Sequence, residues 1–188
     1  RDSVASRGLG DVYKRQVEFW KEAGPAKWFA RDDAFDAQFR RLFLDEHFAA
    51  AARAREHWLG SAEGALALML LLDQFPRNCF RGTAHSYATD GLARHYAMRA
   101  IEEGLDLQLV PKLRAFIYLP FEHSEDPLDQ DRSVAMFDAL GDKEYLQYAD
   151  LHRDIIRRFG RFPHRNAVLG RIPTPEELDY LAEGGFAG

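Results

Sequence analysis

Between Arg158 and Asn166 the chain reads Arg-Phe-Gly-Arg-Phe-Pro-His-Arg-Asn, three arginines, a histidine and an asparagine set among two phenylalanines, a glycine and a proline. Guanidinium groups take a carboxylate or phosphate through paired hydrogen bonds, and an imidazole moves protons near neutral pH. Gly160 and Pro163 interrupt any helix reaching this point, so the polar groups lie on a turning connection. A connection of that kind can aim several side chains at one place.

Two further polar blocks sit where the apolar pattern calls for burial. Asp73-Gln74-Phe75-Pro76-Arg77-Asn78 follows the apolar run Leu66–Leu72. Asp73 and Arg77, four apart, can pair on one helical face, and an ion pair fixing a helix terminus is the plainer reading. Glu122-His123-Ser124-Glu125-Asp126, with Asp129 and Asp131 beyond, holds five carboxylates. A carboxylate beside an imidazole is an acid–base arrangement, so Glu122 and His123, with His164, are the candidates for proton transfer. Structural ion networks use the same groups.

His152 has Ala149, Ile155 and Ile156 at helical spacing and is expected to point inward. From His152 to Arg171 there are six arginines and one aspartate, a basic block that can pair with the acidic block at 122–131 or receive an anion. The candidate ligand-binding set is therefore Asp73, Arg77, Asn78, His152, Arg161, Arg165 and Asn166. No phosphate-cradling glycine loop, GxSxG elbow or short-spaced ligand motif occurs, so neither a metal nor another cofactor is expected. Cys79 lacks a basic partner set by sequence and is a poor nucleophile candidate.

These residues need a scaffold, and the sequence supplies helices. At 188 residues, 46% hydrophobic and 13% aromatic, the chain can bury a substantial core and is not a disordered polymer. Ser61 caps an apolar helix through Phe75; Asp33 caps the helix before it; Asp90 opens one that ends at Gly104. Pro111 opens a helix that Pro120 stops. Asp126-Pro127 starts one to Gly141, and Glu144–Phe159 is the next. Thr174-Pro175-Glu176-Glu177 is a capping box. Alternating strand patterns are absent, and the expectation is all-α, a single domain of seven or eight packed helices over residues 17–188. Residues 1–16 contain Asp-Val-Tyr-Lys-Arg-Gln, which reads like a translated sequencing adapter, and are expected to be a non-native leader.

A net charge of -5 argues against a nucleic-acid partner. The longest apolar run, Ala65 to Leu72, is too short for a membrane span, so no membrane is expected. A single cysteine suits a reducing, cytoplasmic setting.

In order and identity these stretches resemble a bacterial family called domain of unknown function 924. The resemblance is carried by Trp28-Phe29, Phe35-Asp36, Leu66 through Asn78, Phe80-Arg81-Gly82-Thr83, Tyr118 through Glu125, Gln130, His152, Arg158 to Gly170 and Thr174 to Glu177. It implies an all-helical, tetratricopeptide-like stack, and no established activity, cofactor or catalytic residue.

Two functions fit these residues. In the first, Arg77, Arg161 and Arg165 hold a small anionic molecule or short peptide, Asn78 and Asn166 orient it, and the histidines act on it. In the second, the same residues lock the helices together and the surface serves a protein partner, with Phe121, Phe162 and Phe186 forming or covering an apolar patch.

Overall fold

The computed structural model describes residues 4–188, with side chains from residue 12 onward. The chain is an all-α domain with no strand among the described residues. Two compact units can be distinguished: one holds the residues up to Arg81 with His85–Ile117, the other Gly82–Ala84 with Tyr118–Gly188.

The first unit contains α1 (Val4–Ala23), α2 (Pro25–Trp28), α3 (Asp33–Ala51), α4 (Ala62–Met69), α5 (Phe75–Cys79), α6 (Asp90–Glu102) and the start of α7 (Pro111–Glu122). Of residues 1–16, the first three lie outside the described residues; the rest form the opening turns of α1, which continues through Val17. Gln16 on that helix is fully buried and donates from Nε2 to the Ala67 carbonyl at 3.0 Å. The core is aromatic. Trp20 stands edge-on to Phe116 at 5.4 Å and packs against Phe39 at 5.5 Å, while the Trp28 indole N–H donates to the Trp20 carbonyl at 2.7 Å.

Local chemistry explains how the central helix is built. Ser61 caps α4 by accepting from the Gly64 N–H at 3.1 Å. The run then widens into a π turn over Leu70–Gln74 and re-forms as α5, ending at Cys79 rather than Phe75. Pro76 is the cause. It has no N–H to give, so the carbonyls of Leu71 and Leu72 lose helical partners. Buried side chains replace them: His47 Nδ1 donates to the Leu71 carbonyl at 2.8 Å, and the Thr89 hydroxyl to that of Leu72 at 2.5 Å. With Nδ1–H committed to a carbonyl, His47 Nε2 accepts from His85 Nε2 at 2.8 Å. Burial, with the nearby His85 and Arg40 charges, lowers the His47 pKa and favours this neutral form.

Gly64 has no room for a side chain, because a Cβ there would overlap the Trp58 carbonyl oxygen and lie 3.0 Å from Ser61 Oγ. Gly64→Ala is expected to cost about 2 kcal/mol by forcing the cap apart, read as a Tm lowered by roughly 4–8 °C.

Three helix ends differ from expectation. Asp32, not Asp33, caps α3: its extended backbone lets Oδ1 accept from the N–H groups of Ala34 and Phe35. Asp90 is the first residue of α6 and is turned toward Arg77, with Thr89 at the cap position. Pro120 lies inside α7, which runs to Glu122, because one missing donor in the last turn does not prevent the His123 N–H from reaching the Leu119 carbonyl at 2.9 Å. With α4 and α5 counted as one run, the described residues form nine helices against the seven or eight expected, and the short α2 is one that sequence patterns do not mark.

The second unit contains the end of α7, α8 (Pro127–Leu140), α9 (Lys143–Phe159) and α10 (Pro175–Ala182). Asp126 caps α8 through the Leu128 N–H, and Gly141, at φ 77°, ends it in the left-handed conformation that glycine adopts without strain. Only Gly141 and Asp142 separate α8 from α9, so the two pack as a helical hairpin. Ile155, Ile156 and Phe162 form a buried cluster flanked by Phe159, Tyr180 and Phe186.

Candidate functional site

Asp73, Arg77 and Asn78 belong to the first unit and work within it. Arg77 donates from Nη1 and Nη2 to the two carboxylate oxygens of Asp90 at 2.8 and 2.9 Å, and Nη1 lies 3.1 Å from Asp73 Oδ1. Burial alone would weaken the charged guanidinium, but the Asp73 and Asp90 fields outweigh it and raise its pKa. Asn78 donates to Asp36 Oδ1 at 2.8 Å, and Arg81 reaches the other oxygen at 3.2 Å, tying α3 to α5. Cys79 beside them is held as a thiol: burial, with the Asp36 charge, pushes its pKa up to about 12.

The remaining candidates come together in the second unit. Glu122 at the end of α7 and His152 on α9 are both buried, with Glu122 Oε1 3.5 Å from His152 Nδ1. The α8 hairpin fixes that end of α7: Gln130 Nε2 donates to the carbonyls of both Glu122 and Ser124 at 2.7 Å. His152 Nδ1 donates to the Tyr148 carbonyl one turn back at 2.8 Å, leaving Nε2 as the lone-pair nitrogen of the neutral ring. The carboxylate expected to serve His123 thus lies against His152, and the His123 ring is 6.3 Å from it, centroid to centroid.

His164 enters from a short 3-10 turn, Pro163–Arg165. Its ring is 5.6 Å from Phe162 and 5.3 Å from Phe186, and His152 faces the same two phenylalanines at 5.4 and 4.6 Å. Arg165 is buried, lies 4.4 Å over the Phe162 ring and donates to the His123 carbonyl at 3.0 Å. Two imidazoles, His152 and His164, therefore pack on the Phe162 and Phe186 rings with the Arg165 guanidinium over Phe162, while Glu122 and His123 adjoin His152. Phe121 and Phe162, expected to form or cover an apolar patch, are buried, 1% and 0% exposed, and so do not form an exposed one. Phe162 packs against the His152 and His164 rings, and its burial there is favoured by the apolar surface it removes from water.

Arg161 and Asn166 stand one layer away, inside a continuous chain of hydrogen bonds. Glu125 accepts from Arg171 Nη1 and Nη2 at 2.7 and 3.1 Å and from the Phe162 N–H at 2.8 Å. Arg171 Nε donates to Asn166 Oδ1 at 2.9 Å, and Asn166 Nδ2 donates to Glu177 Oε2 at 3.1 Å. Glu177 then takes Arg161 through Nε at 2.6 Å and Nη2 at 2.8 Å. Hydrogen bonds from Arg161, working against burial and joined by those from the Thr174 N–H and Asn166, hold the Glu177 carboxyl at about 2. Burial would raise Glu125, yet the Arg171 and Phe162 hydrogen bonds bring its pKa below the usual carboxylate range.

Glu125, Arg171 and Glu177 are the residues that sequence reading undervalued. Glu177 carried a sufficient local role in its capping box, which is present, with Thr174 Oγ1 accepting from the Glu177 N–H at 3.2 Å. Nothing local signals its second role. Among the described residues no group of three or more histidine, cysteine or acidic side chains is arranged to hold a metal ion, and no helix is long and apolar enough to cross a membrane.

A family model described as a bacterial protein of unknown function, DUF924, matches residues 17–185. A solved structure of a protein of unknown function from Agrobacterium tumefaciens is similar, with a TM-score of 0.89 at 55% identity, covering 95% of this chain and 99% of that one. No curated protein matches the chain.

Proposed function

We propose, for a chain that belongs to the bacterial protein family of unknown function DUF924, that the second unit binds a small anionic molecule or the end of a short peptide at the cluster of His123, His152 and His164. One observation carries the reading: a buried carboxylate, Glu122, lies 3.5 Å from a buried imidazole, His152. The Tyr148 carbonyl takes the His152 Nδ1–H, and the Glu122 carboxylate beside that nitrogen favours a proton on the ring, the arrangement of an acid–base pair. Glu122 and His152 form that pair, with the half-buried His123 next to His152 and the half-buried His164 across Phe186 from it. Arg165 over Phe162 supplies fixed positive charge to an anionic group. Arg77 and Arg161, engaged with Asp73, Asp90 and Glu177, support the frame rather than the ligand.

The test is a titration of the full chain with inorganic phosphate, acetate and a short acidic peptide, followed by NMR of the imidazole C–H signals. At least one probe is expected to shift His123, His152 and His164 together, and His152→Asn is expected to weaken that probe about tenfold, on the order of 1.4 kcal/mol. Three probes that leave all three rings unmoved would overturn the assignment.

A second reading has its own support. The unbroken chain from Glu125 through Arg171, Asn166 and Glu177 to Arg161 is what an interaction scaffold needs to hold a surface rigid, here with a protein as partner. A tetratricopeptide-like description is kept with this proposal, supported by the α8–α9 hairpin; so is the reducing, cytoplasmic setting, supported by the single cysteine of the sequence.

A further inference from the structure

The segment after α10 reads Gly184-Gly185-Phe186-Ala187-Gly188 and doubles back onto the histidine cluster. Phe186 stands edge-on to His152 at 4.6 Å and to His164 at 5.3 Å. Two residues further, a Cβ on Gly188 would come within 3.1 Å of His164 Cδ2, so the backbone there lies against the second imidazole.

The attachments that hold this segment are few. Gly184 N–H donates to the Leu181 carbonyl at 3.3 Å, Gly185 N–H to the Tyr180 carbonyl at 2.9 Å, and Phe186 N–H to the Tyr180 hydroxyl at 2.9 Å. Gly185 packs so closely that a Cβ would fall 2.5 Å from Tyr180 Cε1, Cζ and the carbonyl oxygen. Three glycines in five residues give the released segment large conformational freedom, which its seating must overcome. A short piece held by three hydrogen bonds from its N–H groups and one ring opens more readily than the helices beneath it.

We propose that residues 184–188 are a strap whose aromatic ring, Phe186, occupies the slot between His152 and His164, so that a ligand reaches these imidazoles only when the strap lifts. The inference rests on the reading of the cluster as the binding site. It adds a gate to that site, and it gives the ligand a shape: a flat apolar group able to replace the Phe186 ring beside its charged end.

The experiment is carbethoxylation of the full chain by diethyl pyrocarbonate, with the rate followed at each histidine by peptide mass spectrometry. The parent is compared with Phe186→Ala, which empties the slot, and with Gly185→Ala, whose methyl group clashes with Tyr180 and lifts the strap with the ring intact. His57 and His95, exposed in the first unit, report the reagent, and fully buried His47 reports global opening. His152 is expected to react about tenfold faster in both variants, with a smaller rise at His164 and no change at His47. Unchanged His152 rates would overturn the strap. A rise shared by His152 and His47 would also overturn it, since the segment would then be part of the core. Failure of the binding reading is seen separately: phosphate, acetate and peptide would leave the imidazole signals unmoved while the His152 rate still rose in the variants.

Discussion

Glu177→Ala is expected to lower the unfolding free energy by about 3 kcal/mol, at the lower end of what breaking a buried ion pair costs. The Glu177 side chain is 2% exposed and gathers four donors: Arg161 Nε and Nη2, Asn166 Nδ2 and the Thr174 N–H. Removing it strands an amide, a backbone N–H and a guanidinium in a site with little water. Arg161 keeps 27% of its side chain in solvent, which offsets part of the loss and sets the lower end of the range. Urea unfolding at neutral pH should show a lower midpoint with an unchanged slope. A loss under about 1 kcal/mol would mean that the chain from Glu125 to Arg161 does not hold the loop that carries His164 and Arg165.

Acid should remove the same contribution. A carboxyl held at about 2 in the folded state, against an ordinary value near 4.5, binds fewer protons folded than unfolded across that interval. Its stabilisation is therefore complete above about pH 4.5 and lost as pH falls toward 2, and Glu125, also lowered, acts in the same direction. The stability gap between parent and Glu177→Ala should be widest near neutrality and narrow through this window. A gap that stayed constant to pH 2 would place the cost in packing rather than charge.

What the sequence disclosed, and what it withheld, follows the range of each interaction. Ser61, Asp126 and the Thr174–Glu177 box act within three residues, so composition and spacing are enough to find them. The choice between Asp32 and Asp33 depends on one backbone conformation that residue type alone does not set. Pro76 and Pro120 read as stops because proline removes a donor. At Pro76 the freed carbonyls find His47 and Thr89, partners far along the chain. At Pro120 the helix had only two residues left to run.

The site divides in the same way. Burial of His152 was legible from Ala149, Ile155 and Ile156 on its helical face. Its approach to Glu122, thirty positions away, and to Phe186 depends on how α7, α9 and the C-terminal segment pack, which no local pattern records. The three arginines expected to clamp an anion all stand near helix breakers in the sequence. Two of them hold carboxylates of the chain itself, Asp73 and Asp90 for Arg77 and Glu177 for Arg161. The frame and the histidine cluster are thus separate layers. One is a set of paired charges that fixes a turning connection; the other is the imidazoles that this connection and α9 present.

Arg77→Met separates the structural and ligand roles most sharply, and it is expected to cost about 4 kcal/mol. The guanidinium is 18% exposed and bridges Asp73, 1% exposed, to Asp90, 13% exposed, while Nη1 also donates to the Asp73 carbonyl at 2.9 Å. Methionine keeps most of the volume and removes the cation, so two largely buried carboxylates face each other across an apolar stem. Lysine should fail nearly as badly, since one ammonium cannot reproduce the two parallel bonds to Asp90. Adding Asp90→Asn to Arg77→Met should recover part of the loss, because one of the two charges left behind is gone, and a double-mutant cycle would read their coupling as well above 1 kcal/mol. An arginine retained for a ligand behaves in the opposite way: its loss leaves stability unchanged or improved and weakens binding. If Arg77→Met unfolds at the parental midpoint, the ion-pair role is wrong and Arg77 returns to the set of residues that meet an anion.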